Sequence, residues 1–148
     1  MKTYQEYASA LIKEFEGLRL ESYVCPAGKL TIGYGHAFGD VSKGQKITRD
    51  EAEKILEKDI EYFTKGIKTY LKVPIAPNQL GALVSFCFNI GIGKFKTSTL
   101  LKKINAKDFD GASKEFLRWN KATIDGKLTV LDGLTKRRKA EMEIFLKG

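Results

Sequence analysis

The chain has 148 residues, of which 43% are hydrophobic and 30% are charged, as is usual for a globular protein. This length buries about 68–70% of the unfolded surface, so a single domain over residues 1–148 needs neither a disulfide nor a metal ion for stability. Two cysteines and one histidine without metal-ligand spacing predict free thiols and no metal site. No run approaches the ~20 apolar residues of a membrane span. Acidic residues interrupt the first helical stretch, which predicts cytoplasmic synthesis without a signal peptide.

The net charge of +8 lies almost entirely in the second half of the chain. Residues 1–74 contain 12 Lys and Arg against 11 Asp and Glu, whereas residues 75–148 contain 14 against 7. A basic half suggests an anionic partner such as nucleic acid, phospholipid or an acidic polysaccharide. A solvated surface that keeps the protein soluble explains the same bias. No nucleic-acid-binding motif accompanies it.

The first predicted elements are an amphipathic helix and a small antiparallel sheet. Apolar residues recur at helical spacing over residues 3–15, and Gly17 follows as a helix stop. Residues 18–23 and 30–34 alternate apolar and polar around a Pro-Ala-Gly turn, so residues 18–47 are predicted to form the sheet. Thr48 and Glu51 then form a capping box that begins a long helix ending near Leu71.

Beyond Pro77 the chain is predicted to be mostly helical. Residues 79–90 are apolar nearly all round, which indicates a helix buried in the core. Short helices are predicted near residues 97–104 and 109–119, and the turn Asp125-Gly126 predicts a hairpin within residues 123–129. A last helix is predicted over residues 134–146. Its apolar anchors are expected to be Leu134, Met142, Phe145 and Leu146.

A carboxylic acid, a thiol and a hydroxyl lie at wide intervals around the predicted sheet, at Glu16, Cys25 and Thr31. Strand alternation can aim side chains from neighbouring strands at one shared groove. Glu16 leaves the first helix beside apolar residues, where the helix dipole and its neighbours disfavour the ionised carboxylate, as suits a general acid. On the local sequence alone, a solvent-exposed Glu that tolerates a helix end is the simpler explanation.

The spacing Glu-(eight residues)-Cys-(five residues)-Thr resembles the catalytic signature of the phage-type lysozymes, the endolysins of glycoside hydrolase family 24. In that family the middle position is usually Asp and less often Cys. Further blocks match in the expected order at residues 31–36, 47–53, 78–91, 98–101, 118–122 and 133–138.

The resemblance implies an α+β, two-lobed lysozyme-like fold. A small antiparallel sheet would lie in the N-terminal lobe (about residues 15–60). A long linking helix would lead to a helical C-terminal lobe (about residues 75–148), on which the first helix packs.

The resemblance also implies a reaction, the hydrolysis of the β-1,4 bond between N-acetylmuramic acid and N-acetylglucosamine in bacterial peptidoglycan. Glu16 would protonate the glycosidic oxygen, Thr31 would orient the attacking water, and no cofactor is implied. Three roles stay open for Cys25: a thiolate base or nucleophile, a small polar group that helps Thr31 hold water, or an inert apolar residue.

Further residues are expected at the substrate: Gly33, Gly35, His36, Gln79, Ser85, Asn89, Arg137 and Arg138. Glycine in a strand indicates a close approach to the backbone, by a sugar ring or by a tight hairpin crossing. The three polar residues of the buried helix resemble the family's cleft-facing side, although such groups are usually satisfied within the core. The two arginines either bind carboxylates of the peptide stem or the lactyl group, or form a solvated basic face.

Asp59 falls on the buried stripe of the long helix, where a carboxylate needs a partner. In the family the matching positions form a His–Asp pair. His36 and Asp59 are therefore predicted to be a structural pair beside the site rather than catalysts.

Two rival functions remain. A lytic transglycosylase also works from one Glu but forms an anhydro product without water. A non-enzymatic cationic protein would act on membranes or nucleic acid through the basic helix at residues 134–147. The favoured hypothesis is a monomeric endolysin whose partner is peptidoglycan, without nucleic-acid binding or stable membrane insertion. It would reach the wall through a phage-encoded pore.

Overall fold

The computed structural model of the protein describes residues 2–147 and has the α+β architecture that the sequence predicts. The elements follow in the order α1 (Tyr4–Glu16), β1 (Arg19–Val24), β2 (Leu30–Gly33), α2 (Arg49–Tyr70), α3 (Pro77–Ile90), α4 (Ile92–Lys96), α5 (Thr99–Asn105), α6 (Phe109–Glu115), β3 (Lys121–Ile124), β4 (Lys127–Val130) and α7 (Asp132–Phe145). A 3₁₀ turn, Phe116–Arg118, continues α6. Within residues 2–147, no helix is both long and apolar enough to cross a bilayer.

Local capping fixes the starts of α1 and α2. The hydroxyls of Thr3 and Thr48 each accept a hydrogen bond from the backbone N–H three residues on. The carboxylates of Glu6 and Glu51 in turn accept from the backbone N–H groups of Thr3 and Thr48, and all four distances are 3.0–3.1 Å. Each such cap typically stabilises its helix by about 1 kcal/mol. The capping box predicted at Thr48 is confirmed, and α2 ends at Tyr70, one residue before the predicted position.

The N-terminal sheet is smaller than predicted. Strands β1 and β2 pair antiparallel, with Tyr23 opposite Thr31. The expected further strand within residues 34–47 is reduced to two isolated bridges, Glu21 with Lys46 and Ile32 with His36. Residues 25–29 join β1 to β2 and contain the predicted Pro-Ala-Gly turn, in which the carbonyl of Cys25 accepts from the N–H of Gly28 at 2.8 Å.

Helix α3 is the centre of the core. All of its residues from 80 to 87 are buried, as the sequence predicts, and α1, α2 and α7 pack around it. At the crossing with α1, a Cβ added to Gly81 would lie 2.5 Å from the Cβ of Tyr7, so only glycine allows this approach. The first helix therefore packs on the C-terminal part of the chain.

The C-terminal region departs from the prediction in several places. Helix α4 was not predicted, and the hairpin of β3 and β4 is longer than expected although its turn is at Asp125-Gly126. Helix α7 begins two residues earlier than predicted. Leu146 was expected to be an apolar anchor, but it is 53% exposed. The buried face of α7 instead carries the charged side chains of Arg137, Arg138 and Glu141, so the alternative of a solvated basic face does not hold for the two arginines.

Candidate active site

Glu16 is the last residue of α1, and its carboxylate is ion-paired with an arginine. Oε2 of Glu16 lies 2.7 Å from Nη1 of Arg137, which projects from α7. The side chain of Glu16 is 22% exposed, whereas that of Arg137 is 4% exposed. Sequence reasoning missed this pair because 121 residues separate its members.

The backbone of Gly35 lies directly against Glu16. A Cβ added at Gly35 would be 2.7 Å from Oε1 of Glu16, and the φ of +74° also favours glycine. At Gly33 an added Cβ would be 3.6 Å from Ala52 on α2 and 3.6 Å from Ile47. The close approach at both glycines therefore comes from the protein itself. At Gly33, which is buried, the sugar contact stays a prediction, and the alternative of a tight crossing within the protein fits its contacts.

One face of the β1–β2 hairpin carries polar residues, of which Tyr23 lies within electrostatic range of Glu16. Tyr23 and Thr31 are directly opposite each other, so their side chains share a face. Cys25 lies two positions beyond Tyr23, which continues that face to the edge of the hairpin. The hydroxyl of Thr31 is buried and donates to the carbonyl of Lys29 at 3.0 Å. Cys25 is partly exposed and is a free thiol.

The thiol of Cys25 is shifted toward its reactive form. Burial acts to raise its pKa, but hydrogen bonds from the backbone N–H groups of Lys29 and Ala27 act in the opposite direction and outweigh burial. The pKa of Cys25 is therefore lower than that of an ordinary thiol. At Cys87, by contrast, burial raises the pKa of the thiol well above its usual value. Only the first of these thiols has a thiolate favoured by its surroundings.

Tyr23 belongs to the same cluster, although sequence reasoning did not single it out. Burial raises the pKa of its phenol, and the negative charges of Glu16 and Cys25 raise it further, against the opposing effect of Arg19. The guanidinium of Arg19 lies 4.5 Å from the centre of the Tyr23 ring. Its position two residues before Cys25, near the end of β1, was the signal that could have found it.

Behind Arg137 lies a buried charged network. Glu141 accepts a hydrogen bond from the hydroxyl of Ser85 at 2.6 Å, and it is ion-paired with Arg137 at 3.3 Å and with Arg138 at 3.0 Å. The residues Ser85 and Arg138 are 0% exposed. The predicted substrate contacts of Ser85 and Arg138 are therefore contradicted, because a substrate cannot reach them. Arg137, almost as deeply buried, acts on Glu16 instead.

The other two polar residues of α3 lie at opposite ends of the helix. Oε1 of Gln79 accepts from the N–H of Ala76 at 2.8 Å and so caps the start of α3. That end packs near Tyr7, nine residues before Glu16 and thus about 13 Å along α1, so Gln79 lies away from the acid. Asn89, near the C-terminal end, is exposed and accepts from Arg138 at 2.8 Å. It remains a candidate for substrate binding.

His36 has partners at both ring nitrogens. Nδ1 lies 2.8 Å from Oδ2 of Asp59, and Nε2 lies 2.7 Å from Oδ1 of Asp40. The hydrogen bond to Asp59 raises the pKa of His36, burial opposes it, and Asp40 adds to the rise. The predicted contact with Asp59 is present, while Asp40 was not anticipated. The substrate contact of His36 stays a prediction, and both ring nitrogens already have carboxylate partners.

Comparison with known proteins places this arrangement in a family. Residues 13–141 match the family model described as phage lysozyme. The chain is 49% identical over 140 residues to an endolysin of Acyrthosiphon pisum secondary endosymbiont phage 1, and the match covers 95% of both proteins. An endolysin structure from Escherichia coli O157:H7 phage FAHEc1 superposes with a TM-score of 0.90 at 40% identity, covering 99% of this chain and 94% of that one. The muramidase domain of SpmX from Asticaccaulis excentricus gives a TM-score of 0.88 at 36% identity, covering 95% of each chain.

The fold and these similarities define a glycoside hydrolase of the lysozyme class. The chain belongs to the phage lysozyme family.

Proposed function

We propose that the protein hydrolyses the β-1,4 bond between N-acetylmuramic acid and N-acetylglucosamine in bacterial peptidoglycan, with Glu16 as the general acid. As a member of the phage lysozyme family it is a lysozyme-type hydrolase, and endolysins act on peptidoglycan. The observation that carries the assignment of the acid is the partly exposed carboxyl of Glu16, held between Gly35 and Arg137 beside the hairpin face.

Arg137 supports the acid step in two ways. It binds Oε2 of Glu16 and so orients the carboxyl, and its guanidinium stabilises the carboxylate that remains after the proton has moved to the glycosidic oxygen. General acid catalysis of this kind contributes about 10²–10⁴ in rate. The ion pair also gives the carboxylate a strong hydrogen-bond partner throughout the reaction.

Thr31 and Cys25 are proposed to hold the attacking water. Because the Thr31 hydroxyl donates to the carbonyl of Lys29, its oxygen is oriented to accept from a water. The lowered pKa of Cys25 gives more thiolate near neutral pH than an ordinary thiol has, which favours a base that deprotonates this water. The same geometry is also consistent with a second role for Cys25, in which the thiol positions the water without deprotonating it.

The chemical outcome is tested on purified peptidoglycan in ¹⁸O-labelled water, with mass spectrometry of the released muropeptides. We expect one labelled oxygen at each new reducing end, and no product from a Glu16→Gln control. An anhydro product without label would instead identify a lytic transglycosylase.

The cationic rival has less support, because Arg137 and Arg138 of the basic helix are buried rather than solvated. A folded Glu16→Gln variant that still killed bacteria would favour that rival.

Further proposals concern delivery and association. The basic second half of the chain would guide a monomer to the anionic wall, without binding nucleic acid or inserting stably into membranes. Release through a phage-encoded pore is supported by the similarity to phage endolysins. Expression with and without such a pore tests it: we expect lysis only when the pore is present.

A further inference from the structure

Helix α7 carries a buried glutamate between two buried arginines, directly behind the active site. Glu16, Arg137, Glu141 and Arg138 form a row of alternating charges that runs from the active site into the core. Glu141 and Arg138 are 0% exposed and Arg137 is 4% exposed. The reaction steps described above use only the first two members of this row.

Glu141 is the countercharge that makes the burial of two guanidinium groups possible. An unpaired charge in a protein interior costs several kcal/mol, and two like charges on neighbouring residues also repel each other. Among the described residues, Nε and Nη1 of Arg138 lack a hydrogen-bond partner, although Nε lies 3.0 Å from Oε1 of Glu141. Arg138 therefore depends on the charge of Glu141 more than on hydrogen bonding.

Glu141 also fixes the direction of Arg137. Nε of Arg137 donates to Oε2 of Glu141 at 3.3 Å, and Nη2 donates to the carbonyl of Ser85 at 3.1 Å. With these two groups holding one edge of the planar guanidinium, Nη1 is left to face Glu16 at 2.7 Å. Glu141 and the carbonyl of Ser85 thus orient the guanidinium that forms the ion pair with Glu16.

We propose that Glu141 is a positioning residue for the catalytic acid: its buried carboxylate balances the two arginines and thereby limits the positive potential that Arg137 exerts on Glu16. The proposal rests on the proposed role of Glu16 as the acid. Without that balance, two guanidinium charges face one carboxylate, and Glu16 gives up its proton at lower pH.

Other titratable groups face Glu16 from the hairpin. Tyr23 lies within electrostatic range of Glu16, Arg19 and Cys25, and it is neutral over the working range because its pKa is raised by burial and by Glu16. None of these groups contacts Arg137 in the described residues, whereas Glu141 does. Burial raises the pKa of Glu141, while the guanidiniums of Arg138 and Arg137 oppose this effect. Nε of Arg138 lies 3.0 Å from one carboxylate oxygen of Glu141, and Nε of Arg137 lies 3.3 Å from the other. Because both neighbours are cations in direct contact, we treat the carboxylate of Glu141 as ionised at neutral pH.

The test compares Glu141→Gln with Glu143→Gln, which removes the same charge from an exposed position on the same helix. The alkaline limb of the profile of kcat/KM against pH reports the loss of the proton from the catalytic acid. In Glu141→Gln this limb should move to lower pH by about one unit or more, which is the size expected for removing a nearby charge at an effective dielectric constant of about 20. Glu143→Gln should leave the limb in place. Arg138→Gln should move it the opposite way, and the double variant of Glu141 and Arg138 should return it toward wild type.

Two measurements separate this proposal from other outcomes. The titration midpoint of the Glu16 carboxyl, followed by ¹³C NMR, should fall in folded Glu141→Gln whether or not Glu16 is the acid. Failure of the proposed function would show separately, as full activity in Glu16→Gln. The proposal would be overturned if Glu141→Gln lost activity equally at every pH while the alkaline limb of the kcat/KM profile and the titration midpoint of Glu16 both stayed unchanged. Should that variant not fold, an unmoved midpoint in Arg138→Gln would overturn it equally.

Discussion

Replacing Asp59 by Asn tests the pair that joins the 34–47 segment to α2. Nδ1 of His36 lies 2.8 and 3.0 Å from the two carboxylate oxygens of Asp59, whose side chain is 4% exposed. Removing one partner of a buried ion pair costs about 3–5 kcal/mol. At the lower figure, a domain of this size loses roughly 6–12 °C in Tm. Thermal unfolding by circular dichroism measures this, with Asp40→Asn as the control. Asp40 contacts the same ring but is 65% exposed, so its loss should cost no more than about 1 kcal/mol.

The destabilisation should depend on pH in one direction. The folded-state pKa of His36 is raised above its ordinary value of 6.5, chiefly by the hydrogen bond to Asp59. The stability that this contributes is fully present below the unfolded pKa and is lost as pH rises through the folded pKa. The gap in unfolding free energy between wild type and Asp59→Asn should therefore be larger near pH ~5.5 than near pH ~9.

A double-mutant cycle of His36→Asn and Asp59→Asn isolates the interaction. We expect the two single losses not to add, because both remove the same contact. A coupling energy of zero, or a gap that does not change with pH, would refute the reasoning.

Two further predictions concern the site itself. Gly35→Ala should cost about 1–2 kcal/mol from its φ of +74° and, by displacing the carboxyl of Glu16, should lower kcat by about 10-fold or more. The control is Gly28→Ala, because Gly28 has a similar φ of +81° but open space around it. This variant should lower Tm through the same backbone strain and leave kcat unchanged. Equal kcat in the two variants would contradict the predicted clash between the methyl group added at Gly35 and the carboxyl of Glu16. Cys25→Asp should stay active while Cys25→Ala loses most activity, and thiol alkylation should inactivate the enzyme at Cys25 long before it reaches Cys87, which is 0% exposed. Full activity in Cys25→Ala would remove that thiol from the mechanism.

The sequence predicted the features that depend on short-range patterns. The capping box at Thr48, the turn at Asp125-Gly126 and the apolar helix α3 are each encoded within a few residues, and all three are present. The fold class followed from these elements and from the resemblance to phage-type lysozymes. Helix α4 was missed because its five residues are too few for a helical period to be read.

The interior of the site could not be predicted because it depends on contacts between distant parts of the chain. Arg137 and Arg138 were given a place at the substrate or on a solvated face, since arginine is rarely buried without a partner. Their partner, Glu141, lies three and four residues away on α7, and this spacing was the available signal. Even so, only the packing of α7 against α3 and α1 reveals that this face is buried.

The most direct test of the account is the rate at which Glu16→Gln clears a peptidoglycan suspension, measured by turbidity. This change keeps the shape of the side chain and removes the proton donor, so lysis should fall by at least about 10²–10⁴. The Tm should fall modestly, because the buried guanidinium of Arg137 loses the charge of Glu16 but keeps its ion pair with Glu141. Glu14→Gln, an exposed change in the same helical turn, should lyse at the wild-type rate. A folded Glu16→Gln variant that clears the suspension at near wild-type rate would contradict the assignment of Glu16 as the acid.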